Sequence, residues 1–568
     1  MKKLPLLTTL LIFVAIGGFL ATGQTQTPAP AVSNDAAISR NLNIFNTITR
    51  YLSQAYVDSL RADAAFEAAI GAMLNTVDPY TDYYNSEEKE RLEIMTTGAY
   101  GGIGAFILGR DGDTYISQPI VGSPSYKAGL KAGDRIIKVD TVNVIGKTSN
   151  FTTKLLKGDP GTMVTVVVER PYVTDSILTF NIMREKVQDR SVPFYGVKDG
   201  IGYVKLTSFM EKSADEMKEA LESFKKNQAV EGIIVDLRSN GGGLVSTAVD
   251  ILGMFLPKGT KVIETRGKTP DSYKSYTTTS SPLFPDIPLI VMIDDESASA
   301  SEITAGAIQD LDRGVLIGQR SYGKGLVQGT YTLPYDGLLK VTTAKYHLPS
   351  GRMIQALDYS HRNPDGTVAR TPDSLTHEFQ TKKGRIVRDG GGLVPDSVVK
   401  EREYSRLVYN LLLSNQMFDY ATKYAATHPA IASPAEFRIT DEIYADFIEF
   451  VDTAKIKSDK TGERMLEDLR KTASQEGFLT DELKAELDRL APMLAPDLKR
   501  DLINKRPEVE EFLGREIVGR YYNRAGEEEY GLQFDDEFEV AMKILKDRKL
   551  YDSFLQAPPK DKKKAGKK

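Results

Sequence analysis

The sequence predicts a multidomain α/β protein: a helical N-terminal region, a β-rich segment, a βαβ core and a helical C-terminal extension. Three observations carry this. The 568-residue chain is too long for one core and suggests two to four domains. From about residue 97 to 186, short β-rich runs alternate with glycine turns. From about 200 to 349, strand patterns such as "GYVKL", "GIIVDL" and "PLIVMID" alternate with helical ones, as an α/β core requires.

The elements follow in order. Residues 1–23 open with Lys2 and Lys3, continue through an uncharged apolar run from Leu4 to Leu20, and reach the small residues Ala21 and Gly23. This reads as a secretory signal peptide, with a retained membrane anchor through residues 4–20 left open. Either reading puts the body outside the cytoplasm: in the periplasm, secreted, or held at the inner membrane. A Pro/Ala/Thr-rich linker follows to about Asp35. The segment 38–96 is helical at first, with Ile44, Ile48, Tyr51, Leu52 and Ala55 on one face. A second helix over about Ala64–Leu74 ends before Pro79. The β-rich segment spans 97–186 and the core 187–400. Residues 401–557 are helical and charged. There Ile443, Phe447, Phe450 and Val451 share one face, and Leu483, Leu487, Leu490 and Leu494 another. This part is expected to serve docking or homo-oligomerisation. Residues 558–568 form a Lys-rich tail.

Composition excludes several classes. With no cysteine there is no disulfide, thiolate metal site or cysteine nucleophile. A net charge of −5 offers no basic excess for nucleic acid.

The stretch "DDESASASEITAGAIQD", 294–310, places three serines between a buried strand and a helix. A serine at such an elbow exposes its hydroxyl beside unpaired helix N–H groups. Ser299 with Glu302 is also a capping box, and most such pairs do nothing more. A second strand–helix turn, "DLRSNGGG", brings Gly241–Gly243 to a helix start, where backbone N–H groups can approach negative charge. One turn with a serine and one with glycines are what acyl transfer needs: a nucleophile and oxyanion donors. The residues alone do not choose among the three serines. The four histidines, His347, His361, His377 and His428, lie in no motif that serves as base. Lys324, between glycines in "SYGKGLVQ", is the alternative, because burial lowers a lysine pKa.

These stretches resemble the C-terminal processing peptidases, or tail-specific proteases, a family of Ser–Lys serine peptidases. The resemblance spans roughly residues 40–400. It rests on "SASASEITAGAIQD", "SYGKGLVQ", "DLRSNGGG", "PSGRMIQ", "GGLVPD" and, upstream, "GAMLNTVDPYTDYY". It implies a crotonase/Clp-protease-like βαβ core, Ser299 as nucleophile, Lys324 as base, and Glu302 and Gln328 as polar neighbours that orient the dyad. It also implies oxyanion donors at the N–H groups of Ala300 and Gly242. The β-rich segment resembles a PDZ domain through "YGGIGAFI" and "GSPSYKAGLKAGDRIIKVD". Its N–H groups at Ile103, Gly104 and Ala105 are implied to hold a substrate's C-terminal carboxylate while the peptide adds a strand. Thr141 and Ser125 depart mildly from the common pattern. The implied partners are proteins or peptides with free C-termini, and no metal or cofactor is implied. Two other classes fit parts of the pattern: a catalytically silent PDZ scaffold, and a crotonase-like hydratase. Full Ser and Lys motifs weigh against the first. A secretory segment and a PDZ domain weigh against the coenzyme A substrate of the second.

Overall fold

The computed structural model describes residues 34–227, 230–363, 365–452, 455–456 and 460–557. The expected signal or anchor segment, most of the linker and the 558–568 tail lie outside the described residues. The chain forms two units, 1–73 and 74–568. In the first, the helix Asn34–Ala55 has no buried residue, and its stripe of Ile44, Ile48, Tyr51 and Leu52 is exposed. Phe45 meets Phe66 of the next helix edge to face at 5.7 Å.

The second unit is organised by a six-stranded sheet. Its strands run in the order Tyr195–Lys198, Ile201–Lys205, Gly232–Asp236, Leu289–Ile293, Val315–Gly318 and Ser397–Val398. The first pair is antiparallel and the others parallel. "GIIVD" and "LIVMI" are buried at every residue, as strands covered on both faces must be. Alternation then sorts the side chains. Ile233, Val235, Leu289, Val291 and Ile293 pack with Met217, Leu221, Ala248, Ile251, Ile303 and Ala307 of the helices Ser213–Asn227, Val245–Leu252 and Ala300–Asp310. Ile234, Ile290, Met292, Val315 and Ile317 face the other way. They pack on Phe538, Met542, Leu545 and Tyr551 from the helices Asp536–Lys546 and Arg548–Phe554.

That second layer comes from the helical part of the chain beyond residue 401. The last helices cover the second face of the six-stranded sheet. Between them and the core, Val408, Leu411, Phe447, Leu513 and Ile517 build a separate helical core. Its longest helical stretch, Arg506–Gly531, breaks at Asn523, where φ is 55°. The helices Asp441–Phe450 and Asp481–Leu494 match the periodic faces read from the sequence.

The β-rich segment forms its own sheet around Ile116, Ile136, Val139, Val164, Val166 and Val168. An antiparallel sheet joins Asp82–Tyr84, Leu338–His347, Lys261–Gly267 and Lys274–Thr277, and the strand Leu326–Thr332 pairs with Leu338–His347. Among the described residues, no helix is long and apolar enough to cross a membrane.

Phe538 is 2% exposed and packs edge-on to Tyr203 at 5.5 Å. Phe538→Ala is therefore expected to cost about 3–5 kcal/mol in denaturant unfolding. A loss under about 1 kcal/mol would mean that these helices are not part of the core.

Candidate functional site

The strands Gly232–Asp236 and Leu289–Ile293 are parallel neighbours, so the turns after them open at the same end of the sheet. These are the glycine turn and the serine elbow. Asp294 organises the elbow. Its Oδ1 accepts from the N–H groups of Glu296 and Ser297 at 3.2 and 2.9 Å, and its Oδ2 from Ser239 N–H at 2.8 Å. Ser297 is buried, with its hydroxyl donating to Leu237 O at 2.8 Å. Ser301 is buried too and donates to Asn240 O at 2.7 Å. Both hydroxyls are engaged in holding the two turns together. Ser299 is half-buried at the helix N-terminus with φ 56° and ψ −112°. A residue with a side chain held there stores about 1–3 kcal/mol of strain, a cost found where geometry matters for function.

Glu302 forms the glutamate half of the capping box, taking the Ser299 N–H at 2.9 Å. It does more than cap. The same oxygen, Oε2, accepts Lys324 N–H at 2.9 Å, while Oε1 accepts Ser321 Oγ–H at 2.6 Å and Gly323 N–H at 2.7 Å. The carboxylate is fully buried, and burial raises its pKa against these four donors, which favour the charged form.

The lysine loop is pinned from three further directions. Gly323 has φ +90°, and a Cβ there would lie 2.5 Å from the Ala356 Cβ. Gly325 N–H donates to Gln355 Oε1 at 2.7 Å, and Leu393 N–H donates to Ser321 Oγ at 2.7 Å. "PSGRMIQ" and "GGLVPD" are thus the supports of Lys324. Its Nζ lies 4.4 Å from the centre of the Tyr80 ring. Burial and the like charge of Lys340 lower its pKa to about 8, opposed by Glu302 and Asp78. No hydrogen bond joins Lys324 Nζ to Ser299 Oγ. Gln328 sits at a bulge of its strand and donates to Thr342 Oγ1 at 3.2 Å rather than to Ser299 or Lys324.

The glycine turn presses on the elbow. A Cβ at Gly242 would lie 2.6 Å from Ala298 O and 2.9 Å from both Ser299 Cβ and Ala300 N, so only glycine fits. The Gly242 N–H, expected as an oxyanion donor, here donates to Asn240 Oδ1 at 2.9 Å. Ala300 N–H stands at the first helical position after Ser299.

In the β-rich segment, Ile103 O accepts Ser125 N–H at 2.7 Å, and Gly104 O accepts Ile120 N–H at 2.9 Å and Ser123 Oγ–H at 2.8 Å. The carbonyls are tied inward. Gly104 needs its φ of +77°, which a side chain would strain. Ala105 begins the strand Ala105–Arg110. The histidine rings bond elsewhere: His347 to Gly351 O, His361 to Asp358, His377 to Asp389 and His428 to Tyr424 O.

Sequence reading gave no role to Tyr80, Asn240, Ser321 or Gln355. All four stand in stretches that carried the family resemblance, but a hydrogen bond between separate loops leaves no periodic signal.

Three family profiles match the chain: Peptidase family S41 over residues 200–361, a PDZ domain over 115–170, and "Probable PDZ-protease, C-terminal helical domain" over 407–545. A carboxy-terminal-processing protease of Bartonella bacilliformis is 33% identical over 350 residues, covering 61% of this chain and 80% of that one. A carboxyl-terminal-processing protease of Picosynechococcus is 31% identical, covering 57% of this chain and 82% of that one. Among solved structures, a photosystem II D1 C-terminal processing protease is 29% identical, with a TM-score of 0.32, over 55% of this chain and 83% of that one.

The buried lysine makes a stability prediction. Its folded pKa of about 8 lies below the unfolded value, so the folded state holds fewer protons between the two. Below about 8 the fold carries the full cost of a buried ammonium. Lys324→Met should then stabilise at pH 7 by about 1–2 kcal/mol, allowing for partial solvent screening. The gain should fade as pH rises to ~10.4, where the unfolded lysine also loses its proton. Melting curves at pH 7 and pH 10 check this; an equal gain at both would show that the ammonium carries no cost.

Proposed function

This chain belongs to the carboxy-terminal-processing proteases of peptidase family S41, and it is a serine peptidase with a PDZ domain. From that premise we propose that it cuts protein substrates selected by their C-terminal tails, through a Ser299–Lys324 dyad. One observation carries the reading: a single buried carboxylate, Glu302, takes the backbone N–H of both Ser299 and Lys324, so elbow and lysine loop are set by the same group.

The steps follow from the chemistry. Neutral Lys324 Nζ removes the Ser299 proton, and Oγ attacks the substrate carbonyl. The pair closes to hydrogen-bond distance when substrate fills the site, as catalytic contacts that are long in a free enzyme do. The oxyanion is received by Ala300 N–H and by Gly242 N–H once it leaves Asn240 Oδ1. Lys324 then gives its proton to the leaving amine, and the acyl-enzyme is hydrolysed by water that Lys324 deprotonates. Glu302 orients both loops. The substrate's terminal carboxylate lies on the N–H groups of Ile103, Gly104 and Ala105, and its chain extends along Ala105–Arg110. The site of action is extracytoplasmic, with residues 1–23 as the export signal or anchor.

Ser299→Ala should abolish turnover of a tailed protein substrate, while Ser297→Ala and Ser301→Ala lose stability first. In wild type, kcat/KM should rise along a limb near pH 8, the value at which burial leaves Lys324. A limb near ~6.5 that disappears on replacing one histidine would assign the base to that histidine instead.

Tail recognition has a separate check. Amidating the substrate's C-terminus removes charge-assisted bonds worth about 1.5–3 kcal/mol each. The amide should therefore be cleaved at least ~10-fold more slowly at low substrate concentration. Equal rates for acid and amide would remove tail recognition and leave the dyad untouched.

A further inference from the structure

Between the catalytic sheet and the C-terminal helices lies a charged cavity of about 520 Å³. Arg238 stands on its wall with every guanidinium donor engaged. Nε and Nη2 reach Asp236 at 3.0 and 2.6 Å, Nη1 and Nη2 reach Asp535 at 3.0 and 2.6 Å, and Nη1 reaches Glu537 at 2.6 Å. Asp236 is the last residue of a core strand, and Tyr203 Oη–H donates to it at 2.7 Å. Asp535 and Glu537 come from the other end of the chain, at the start of the helix Asp536–Lys546. Although burial alone would raise its pKa, Asp236 is held well below the carboxylate range by Arg238.

Three carboxylates around one half-buried arginine add little stability, because such clusters gain little over apolar packing. Their position suggests another use. Arg238 immediately precedes Ser239, held at φ 56° by Asp294. Asn240 follows. Its Oδ1 takes Gly242 N–H, and its backbone O takes Ala298 N–H at 3.1 Å and the Ser301 hydroxyl at 2.7 Å. The fixed guanidinium is therefore the upstream anchor of the turn that touches the Ser299 elbow.

We propose that Asp535 and Glu537 are positioning residues: by locking Arg238 they set the 239–243 turn, so the oxyanion site is competent only with the C-terminal helical domain docked. This rests on the acyl-transfer reading above. The test is the double variant Asp535→Asn/Glu537→Gln. Asparagine can still cap the helix, where Asp535 Oδ1 accepts Phe538 N–H at 2.9 Å, and both changes keep volume. The comparison is Tyr551→Phe, which loosens the same docked layer at its far side by removing the bond to Leu289 N–H at 2.9 Å.

With a tailed protein substrate, the double variant should lose about 10- to 100-fold in kcat with KM unchanged, since a misplaced oxyanion donor acts in the transition state. Affinity for a peptidyl boronate, which mimics the tetrahedral intermediate, should fall in parallel. Tyr551→Phe should lower the melting temperature and leave kcat and boronate affinity alone. A folded double variant with wild-type kcat overturns the proposal. So does a kcat loss that tracks melting temperature equally in both variants. Should the double variant not fold, Glu537→Gln alone must still lower kcat, and wild-type kcat there is equally fatal. Cleavage surviving Ser299→Ala would instead sink the acyl-transfer reading itself.

Discussion

A single buried carboxylate holds the site together. Glu302 leaves the elbow helix one turn in and collects four donors: Ser299 N–H, Ser321 Oγ–H, Gly323 N–H and Lys324 N–H. Three come from the lysine loop, which is irregular and could not fix its own course. A neutral glutamine offers one acceptor oxygen where Glu302 uses two, so the amide group would face donors with donors. The unfavourable φ of Ser299 persists because this clamp and the Gly242 contact over-determine it.

The clamp needs a rigid frame, and the frame is a sheet covered on both faces. One cover comes from helices between the strands, as in any α/β core. The other arrives from more than two hundred residues downstream of the strand Val315–Gly318, as Phe538, Met542 and Tyr551. The same docking brings Asp535 and Glu537 to Arg238. Burial of apolar surface and ordering of a polar turn are thus delivered by one event, which couples the integrity of the C-terminal layer to the geometry of the serine elbow.

The legible parts of the sequence were those written in a short period. Alternating and continuous apolar runs gave the sheet strands, and helical spacing gave Asp441–Phe450 and Asp481–Leu494. Glycines with positive φ marked the turns at Gly104, Gly242 and Gly323. The destination of the helix Asp536–Lys546 was not legible. Phe538, Met542 and Leu545 give it an ordinary amphipathic face, and such a face does not name the surface it covers. Nor could spacing separate Ser297, Ser299 and Ser301. Hydrogen bonding does: two hydroxyls are engaged with carbonyls of the glycine turn, Leu237 O and Asn240 O, and the third residue carries the strained backbone.

In the proposed dyad, burial is what would let a lysine serve as base. In water an ammonium holds its proton until ~10.4, too high to serve near neutrality. Around Lys324 burial and Lys340 lower the pKa, while Glu302 and Asp78 raise it again. The opposition has a use. A lysine pushed much lower would be a weaker base toward the serine hydroxyl, and one left near its ordinary value would be almost fully protonated. Glu302 spends its charge mainly on four nearby donors, so it steadies Lys324 through the backbone while returning only part of the lost basicity. Tyr80, with its ring 4.4 Å from Nζ, closes the remaining side with a face that suits a cation and offers it no strong acceptor. The two carboxylates that attract the amine, Glu302 and Asp78, act on it through their charge, opposing burial and Lys340; in the proposed mechanism that leaves the Ser299 hydroxyl as the hydrogen-bond partner of the amine once substrate excludes water.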